Sequence, residues 1–418
     1  MIPAVVTHCA GIDVGKKILA VCVMAGAADA EPSVEQREFG TSNAQLRLLR
    51  AWLAERGCTH AVMESTGAYW KPVYEVLEES LQVILAHAGQ VKARRGHKTD
   101  WSDARWLAHL LRHGLVRASF IPPRGIRYLR DLTRRRKQLL SDSTSERNRV
   151  QKLLETANVK LGNVLSDVFG VSGQRVLDAL LEGRASPSEM AALMDARIRS
   201  KIPAVIESLE GHRMDAHHRW MIRQCLDHLV FIETQIRAID EQIRTHIREC
   251  GYEASFALLE TVPGVQADTA AVILAEIGPD MGQFPSAAHL SSYGGVCPGN
   301  HKSAGKSYSG HARGGDRWLR SALVQSAWAV AARKQGVLRD KFWRQASRGG
   351  RKKALIALAH GLLIAVYDTL SSGQPYIERD APPMSEAQRQ RLIRHHTRRL
   401  GKLGVATRSC SVKAHTNQ

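Results

Sequence analysis

The rhythm of apolar and polar residues changes twice along this chain, and each change marks a candidate domain boundary. Over residues 1–122 short apolar runs alternate with amphipathic stretches. GIDVGKKILAVCVM (11–24) carries two β-rich runs around a Gly-Lys-Lys turn, which predicts a hairpin. Asn43 to Arg56 places Leu46, Leu49, Trp52 and Leu53 at helical spacing. THAVMES (59–65) and LQVILAH (81–87) read as strands on either side of a helix in YWKPVYEVLEE. The expected class is α/β, and the segment closes near Pro122-Pro123.

A heptad rhythm follows over residues 123–250. Leu129, Leu132, Leu139, Val150 and Leu153 fall on a seven-residue grid, with polar residues in its middle at Arg136, Ser143 and Glu146. A cleaner grid runs through Ile222, Cys225, Leu229, Ile232, Ile236, Ile239, Ile243, His246 and Cys250, stepping by three and four in alternation. That spacing predicts long coiled-coil helices. Such arms serve to pair subunits; a helical bundle within one subunit uses the same spacing. Residues 251–375 read as a compact, mostly helical domain, and 376–418 as a basic tail. The most apolar run, Ala354 to Val366, is too short to span a bilayer and reads as a buried helix, so no membrane partner is expected.

Charge narrows the partner. The 418 residues hold 59 Lys and Arg against 40 Asp and Glu, a net charge of +19, which favours a polyanion and above all nucleic acid. Seven scattered cysteines without a C-x-x-C pair, and no signal-like N-terminus, point to a reducing, cytoplasmic setting.

In so basic a protein, carboxylates at element ends call for explanation. Asp13 ends one predicted strand and Glu64 another, while Asp100 and Asp103 stand three apart where a helix begins in HKTDWSDARWLAHLL. Carboxylates so placed suit Mg²⁺, and a pair of such ions assists phosphoryl transfer. Each has a plainer reading: Asp13 as a turn former, Asp100 and Asp103 as a helix cap. Glu64 is the hardest to explain structurally, because it ends an apolar strand.

Two further elements carry candidate phosphate contacts. TVPGVQADTAAVILAEIG (261–278) reads as two helices about a Pro-Gly turn, a helix-hairpin-helix in which the turn at Gly264 seats a phosphate; a plain helical hairpin fits as well. GNHKSAGKSYSGHARGGDRWLR (299–320) combines glycines 299, 305, 310, 314 and 315 with Lys302, Lys306, His311, Arg313 and Arg317. A serine in that setting is a candidate nucleophile at phosphorus; a passive phosphate clamp has the same composition.

Together these elements resemble the DEDD transposases of bacterial insertion sequences, bridge-RNA-guided DNA recombinases, over nearly the whole chain. GIDVGK, MESTGAYW and KTDWSDARWLA look like the family's RuvC-like (RNase H-like) N-terminal domain, with its acidic quartet at Asp13, Glu64, Asp100 and Asp103. TVPGVQADTAAVILAEIG, SYGGVCPGNHKSAGK and GGDRWLRSALVQSAW look like its C-terminal transposase domain, with the nucleophilic serine at Ser303 and Ser307 and Ser309 close by. The resemblance implies a phosphoserine link to DNA, Mg²⁺ at the acidic quartet, donor and target DNA chosen by a guide RNA, and a homo-oligomer, dimer or tetramer. A junction-resolving endonuclease with the same carboxylates and metal-activated water is the alternative.

Overall fold

A computed structural model of the protein describes residues 3–64, 67–86, 100–116, 118–183, 185–299, 301–303, 306–309, 314–378 and 386–402. Of 301–303, 306–309, 387–389, 392, 395, 396 and 402 it describes the backbone alone. The chain divides into two compact units, Met1–Pro122 and Pro123–Gln418.

The first unit is built on a five-stranded mixed sheet of order β3-β2-β1-β4-β5. The hairpin β1 (His8–Val14) and β2 (Ile18–Ala25) turns at Gly15, and β3 (Ser33–Gly40) adds an antiparallel edge. On the other side β4 (His60–Glu64) and β5 (Gln82–Ala86) run parallel to β1. Alternate strand residues serve two cores. Ala10, Ile12, Ala61 and Met63 face α1 (Asn43–Glu55) and α2 (Trp70–Leu77), which contribute Leu46, Leu49, Leu53, Val73 and Leu77. Cys9, Cys22 and Val62 face α3 (Asp100–Arg112), through Ala104, Leu107, Ala108 and Leu111. Helices on both faces of a mixed sheet fit an RNase H-like domain. Arg112 is buried at the far end of α3, and its guanidinium donates to the carbonyls of Thr7 (2.8 Å) and Ala27 (2.7 Å), tying α3 to the loops flanking β1 and β2.

The second unit opens with two long helices, α4 (Arg124–Thr156) and, after an insertion, α9 (Ala216–Glu249). They lie antiparallel along each other: His246 bonds the carbonyl of Gly125, Arg136 pairs with Asp240, and Arg147 with Glu233. The apolar stripe of α9 thus meets α4 of the same chain, which buries Ile222, Cys225, Leu229, Ile232 and Ile243 and leaves Ile236 and Ile239 half-buried. The polar middle of the α4 grid has a partner for each charge. Arg136 takes Asp240 and Asp268, while Glu146, 5% exposed, takes Arg149 and His228. Between the two helices, α5 (Leu161–Val164), α6 (Val171–Glu182), α7 (Pro187–Ala192) and α8 (Ile202–Leu209) form a small cap. Its core joins Val150 and Leu154 of α4 to Ile222 and Cys225 of α9.

From α9 the chain enters α10 (Glu253–Glu260), α11 (Ala267–Ile277) and α12 (Ala287–Tyr293), then the hairpin β6 (His301–Ser303) and β7 (Lys306–Ser309). Helices α13 (Arg317–Ala331), α14 (Val337–Gly349) and α15 (Arg351–Ser372) complete the core, and α16 (Glu386–Lys402) follows. Helix α15 is long and apolar enough to cross a membrane by length and composition. It packs against α13, α14 and α12, burying Leu355, Leu358, Leu362, Leu363 and Val366.

Candidate functional sites in the two units

The acidic edge of the first unit follows from strand register. β1 and β4 pair in parallel with Ile12 opposite Met63, so Asp13 and Glu64 are the next step along both strands. Their neighbours Ile12 and Met63 face the core of α1 and α2, so Asp13 and Glu64 take the opposite face, the one α3 covers. Helix α3 runs antiparallel to β1. The Cys9 thiol donates to the Ala108 carbonyl at 3.6 Å, and Gly11 lies beneath Ala104 and Ala108. Asp100 and Asp103, one turn ahead of the buried Ala104 and Leu107, therefore lie toward the sheet end where Asp13 and Glu64 emerge.

The approach of α3 depends on Gly11. A Cβ there would stand 2.1 Å from the Ala104 carbonyl oxygen and 2.4 Å from the Ala108 nitrogen. Four carboxylates are a fitting donor set for a hard divalent cation. Among the described residues, however, no group of three or more His, Cys, Asp or Glu side chains is gathered closely enough to hold a metal ion. Ser65, Thr66 and residues 87–99, which flank the acidic positions, lie outside the described residues.

In the second unit Ser303 is the last residue of β6 and pairs with Lys306, the first of β7; Lys302 pairs with Ser307 and His301 with Ser309. Arg313 and His311 lie outside the described residues, and of Lys302 and Lys306 only the backbone is described. Arg317 is exposed at the start of α13, its guanidinium 4.7 Å from the Trp318 ring centre. Gly264, between α10 and α11, has φ +77° and packs on α13. A Cβ there would lie 2.5 Å from the Ser326 carbonyl oxygen, so packing alone requires glycine at the turn.

The stems of the β6–β7 hairpin meet a buried charge network. Glu276 of α11 is fully buried and receives both arms of the Arg134 fork, Nε to Oε1 and Nη2 to Oε2, each at 2.9 Å. Arg130 approaches the same carboxylate at 3.0 Å and donates to the carbonyls of Ala275 and Glu276. Arg134 also reaches Asp316 at 3.5 Å, and Asp316 caps α13 by accepting from the amides of Trp318 (2.9 Å) and Leu319 (2.7 Å). Burial pushes the Glu276 carboxyl above its ordinary value, against the pull of Arg134 and Arg130. Burial likewise raises the Tyr293 hydroxyl beside it to about 12. Breaking a buried pair of this kind costs about 3–5 kcal/mol, because it strands the remaining charge.

Two family models match this chain: residues 10–159 match the DEDD transposase of IS110 elements, and residues 256–343 match the transposase IS116/IS110/IS902 family. The chain belongs to the IS110-type DEDD transposases. It is 30% identical over 260 residues to the insertion element IS110 uncharacterized 43.6 kDa protein of Streptomyces coelicolor, an alignment covering 58% of this chain and 62% of that relative. It is also 29% and 28% identical over 219 residues to the pilin gene-inverting proteins of Moraxella lacunata and Moraxella bovis, covering 48% of this chain and 67% of each. The first model starts within β1 and covers β2 to β5 and α4; the second runs from α10 into α14 and includes the hairpin that bears Ser303. DEDD transposase domains typically use divalent metal ions.

Sequence reasoning passed over Glu276, Arg134 and Asp316. The signal was present in AAVILAEIG, where a lone carboxylate ends an apolar helix. A charge in such a place needs a partner, the argument already applied to Glu64.

Proposed function

We propose that this protein is a transposase that breaks and rejoins DNA through a phosphoserine link at Ser303, with donor and target DNA selected by a guide RNA. The observation that carries this reading is Ser303 at the end of the first strand of a hairpin within the segment matching the transposase family. Relatives named for pilin gene inversion support rearrangement of DNA as the outcome.

In the proposed step the Ser303 oxygen attacks a backbone phosphorus and forms an O–P bond. The DNA ester bond breaks, the leaving DNA oxygen takes up a proton, and the serine gives one up. Attack by a second strand's hydroxyl reverses the exchange and frees the serine, so no external energy source is consumed. Lys302, Lys306, Arg313 and Arg317 hold the phosphates, and the turn at Gly264 adds a backbone contact. Asp13, Glu64, Asp100 and Asp103 would hold Mg²⁺, which when bound neutralises charge on the phosphate oxygens. The +19 charge suits a protein that reads nucleic-acid backbone and leaves sequence choice to base pairing. Subunits pair through the helical arms as a dimer or tetramer, with Val230 and Phe231 (62% and 58% exposed) available on α9.

The test incubates purified protein with Mg²⁺, labelled DNA spanning the element junction and RNA transcribed from the element's non-coding end. A protein–DNA adduct that survives boiling in detergent and vanishes with Ser303→Ala is expected. Cut DNA without an adduct, dependent on Asp13 and Glu64, would make the protein a metal-dependent endonuclease and the hairpin a clamp.

A further inference from the structure

The geometry points to Glu276 as a positioning residue that, through Arg134 and Asp316, fixes both stems of the hairpin bearing Ser303. The inference rests on Ser303 being the nucleophile, and it concerns residues that touch neither DNA nor metal.

The first stem is Tyr293–Gly295. The Tyr293 hydroxyl donates to the Glu276 carbonyl at 3.3 Å, and the Tyr293 carbonyl accepts from the Asp316 amide at 2.9 Å. The second stem is Gly314–Asp316, pressed directly on the first. A Cβ on Gly315 would lie 2.4 Å from the Gly295 nitrogen and 2.6 Å from the Tyr293 oxygen. Asp316 spends one carboxylate oxygen on capping α13 and turns the other toward Arg134. Arg134 is itself held by the bidentate grip of Glu276.

A buried carboxylate between two guanidinium groups is a poor device for stability, since well-packed apolar side chains of the same volume serve as well or better. What the fork supplies is direction. A planar guanidinium gripped at two points presents its third face at a fixed angle, which a lysine does not. Here that angle decides where α13 begins and where the second stem ends. Nucleophilic attack is sensitive to placement at this scale, because a shift of about 1 Å costs up to about a hundredfold in rate.

The experiment compares full-length wild type with Arg134→Lys, which keeps the charge and loses the fork, and with Asp316→Asn, which keeps the cap and loses the charge facing Arg134. Three quantities are read: DNA affinity, the rate of Ser303 adduct formation at saturating DNA, and tryptic cutting after Lys302, Lys306 and Arg313 relative to other sites. Arg134→Lys should leave affinity within about twofold and slow adduct formation about tenfold or more. It should also raise cutting at those three sites selectively. Asp316→Asn, the milder change, should move adduct rate and cutting the same way with the protein folded. Unchanged adduct rate and cutting in both variants would overturn the inference. So would cutting that rises at all sites together, with adduct loss in proportion to unfolding. Absence of an adduct from wild type sinks the serine reading instead, and the tryptic pattern still decides whether this network anchors the hairpin.

Discussion

Replacing Gly11 with alanine tests how the acidic edge of the first unit is assembled. The added methyl would sit 2.1 Å from the Ala104 oxygen and 2.4 Å from the Ala108 nitrogen, both backbone atoms of α3, so no side-chain rotation relieves the clash. Contacts of this kind begin near 3.0 Å, so α3 must lift by about 1 Å. In open space the same substitution would stabilise the protein by about 0.4–1 kcal/mol through the unfolded chain. Overpacking of a close contact costs about 1–3 kcal/mol, so the clash decides the sign. For a unit of 122 residues that cost lowers Tm by about 4–12 °C. Differential scanning calorimetry of the full chain reads the shift. DNA strand exchange, assayed well below the transition, reads the displacement of Asp100 and Asp103 from Asp13 and should fall by more than the folded fraction does. A Tm that rises, or activity that follows the folded fraction alone, would refute this account of α3.

Three other outcomes follow from particular side chains. Val230→Asp combined with Phe231→Asp, both on the exposed side of α9, should reduce the assembly to single chains by light scattering, and an unchanged molar mass would refute subunit pairing through α9. Burial pushes the thiols of Cys9 and Cys58 up to about 12 and about 11, so neither should be alkylated in folded protein at about pH 8, as mass spectrometry would report. Burial raises the carboxyl of Glu146, but hydrogen bonds from Arg149 and His228 outweigh it and hold the group below its ordinary 4.5. Its contribution to stability is complete above that value and lost as pH falls through the lower folded one. Glu146→Gln should therefore flatten the acid limb of the denaturant midpoint against pH, and an identical limb would contradict the pairing.

The parts of the fold written in local rhythm were legible beforehand. The β1–β2 hairpin, α1 with its four buried residues, β4, β5 and the stripe on α9 all follow from residues that face one core. β3 was not legible: SVEQREFG is an edge strand with a single buried side chain, Phe39, and its charges keep the edge from pairing further. The polar middle of α4 looked like a defect in the grid because its partners, Asp240, Asp268 and His228, lie a hundred residues or so away in sequence. Gly11 and Gly264 were equally silent about their packing, since what each glycine makes room for is another segment's backbone. Ser303 was singled out by motif as a candidate, whereas the buried network behind its hairpin is a purely tertiary object.

The insertion of the α5–α8 cap between α4 and α9 has a consequence during synthesis. Gly125 and His246 touch although 121 residues separate them, so α4 leaves the ribosome well before the helix that covers its apolar stripe. At about 5–20 residues per second the wait is on the order of ten seconds. The cap shortens the search once its own chain has emerged: the Arg213 amide bonds the Ala157 carbonyl at 2.7 Å and that of Lys160 bonds Ser208 at 3.2 Å, which brings the start of α9 to the end of α4. From that closed end the pair can zip toward Gly125 one turn at a time, each step closing only a short loop. The platform beneath the serine hairpin, which draws Arg130 and Arg134 from the base of α4, is then among the last parts of the chain to be completed.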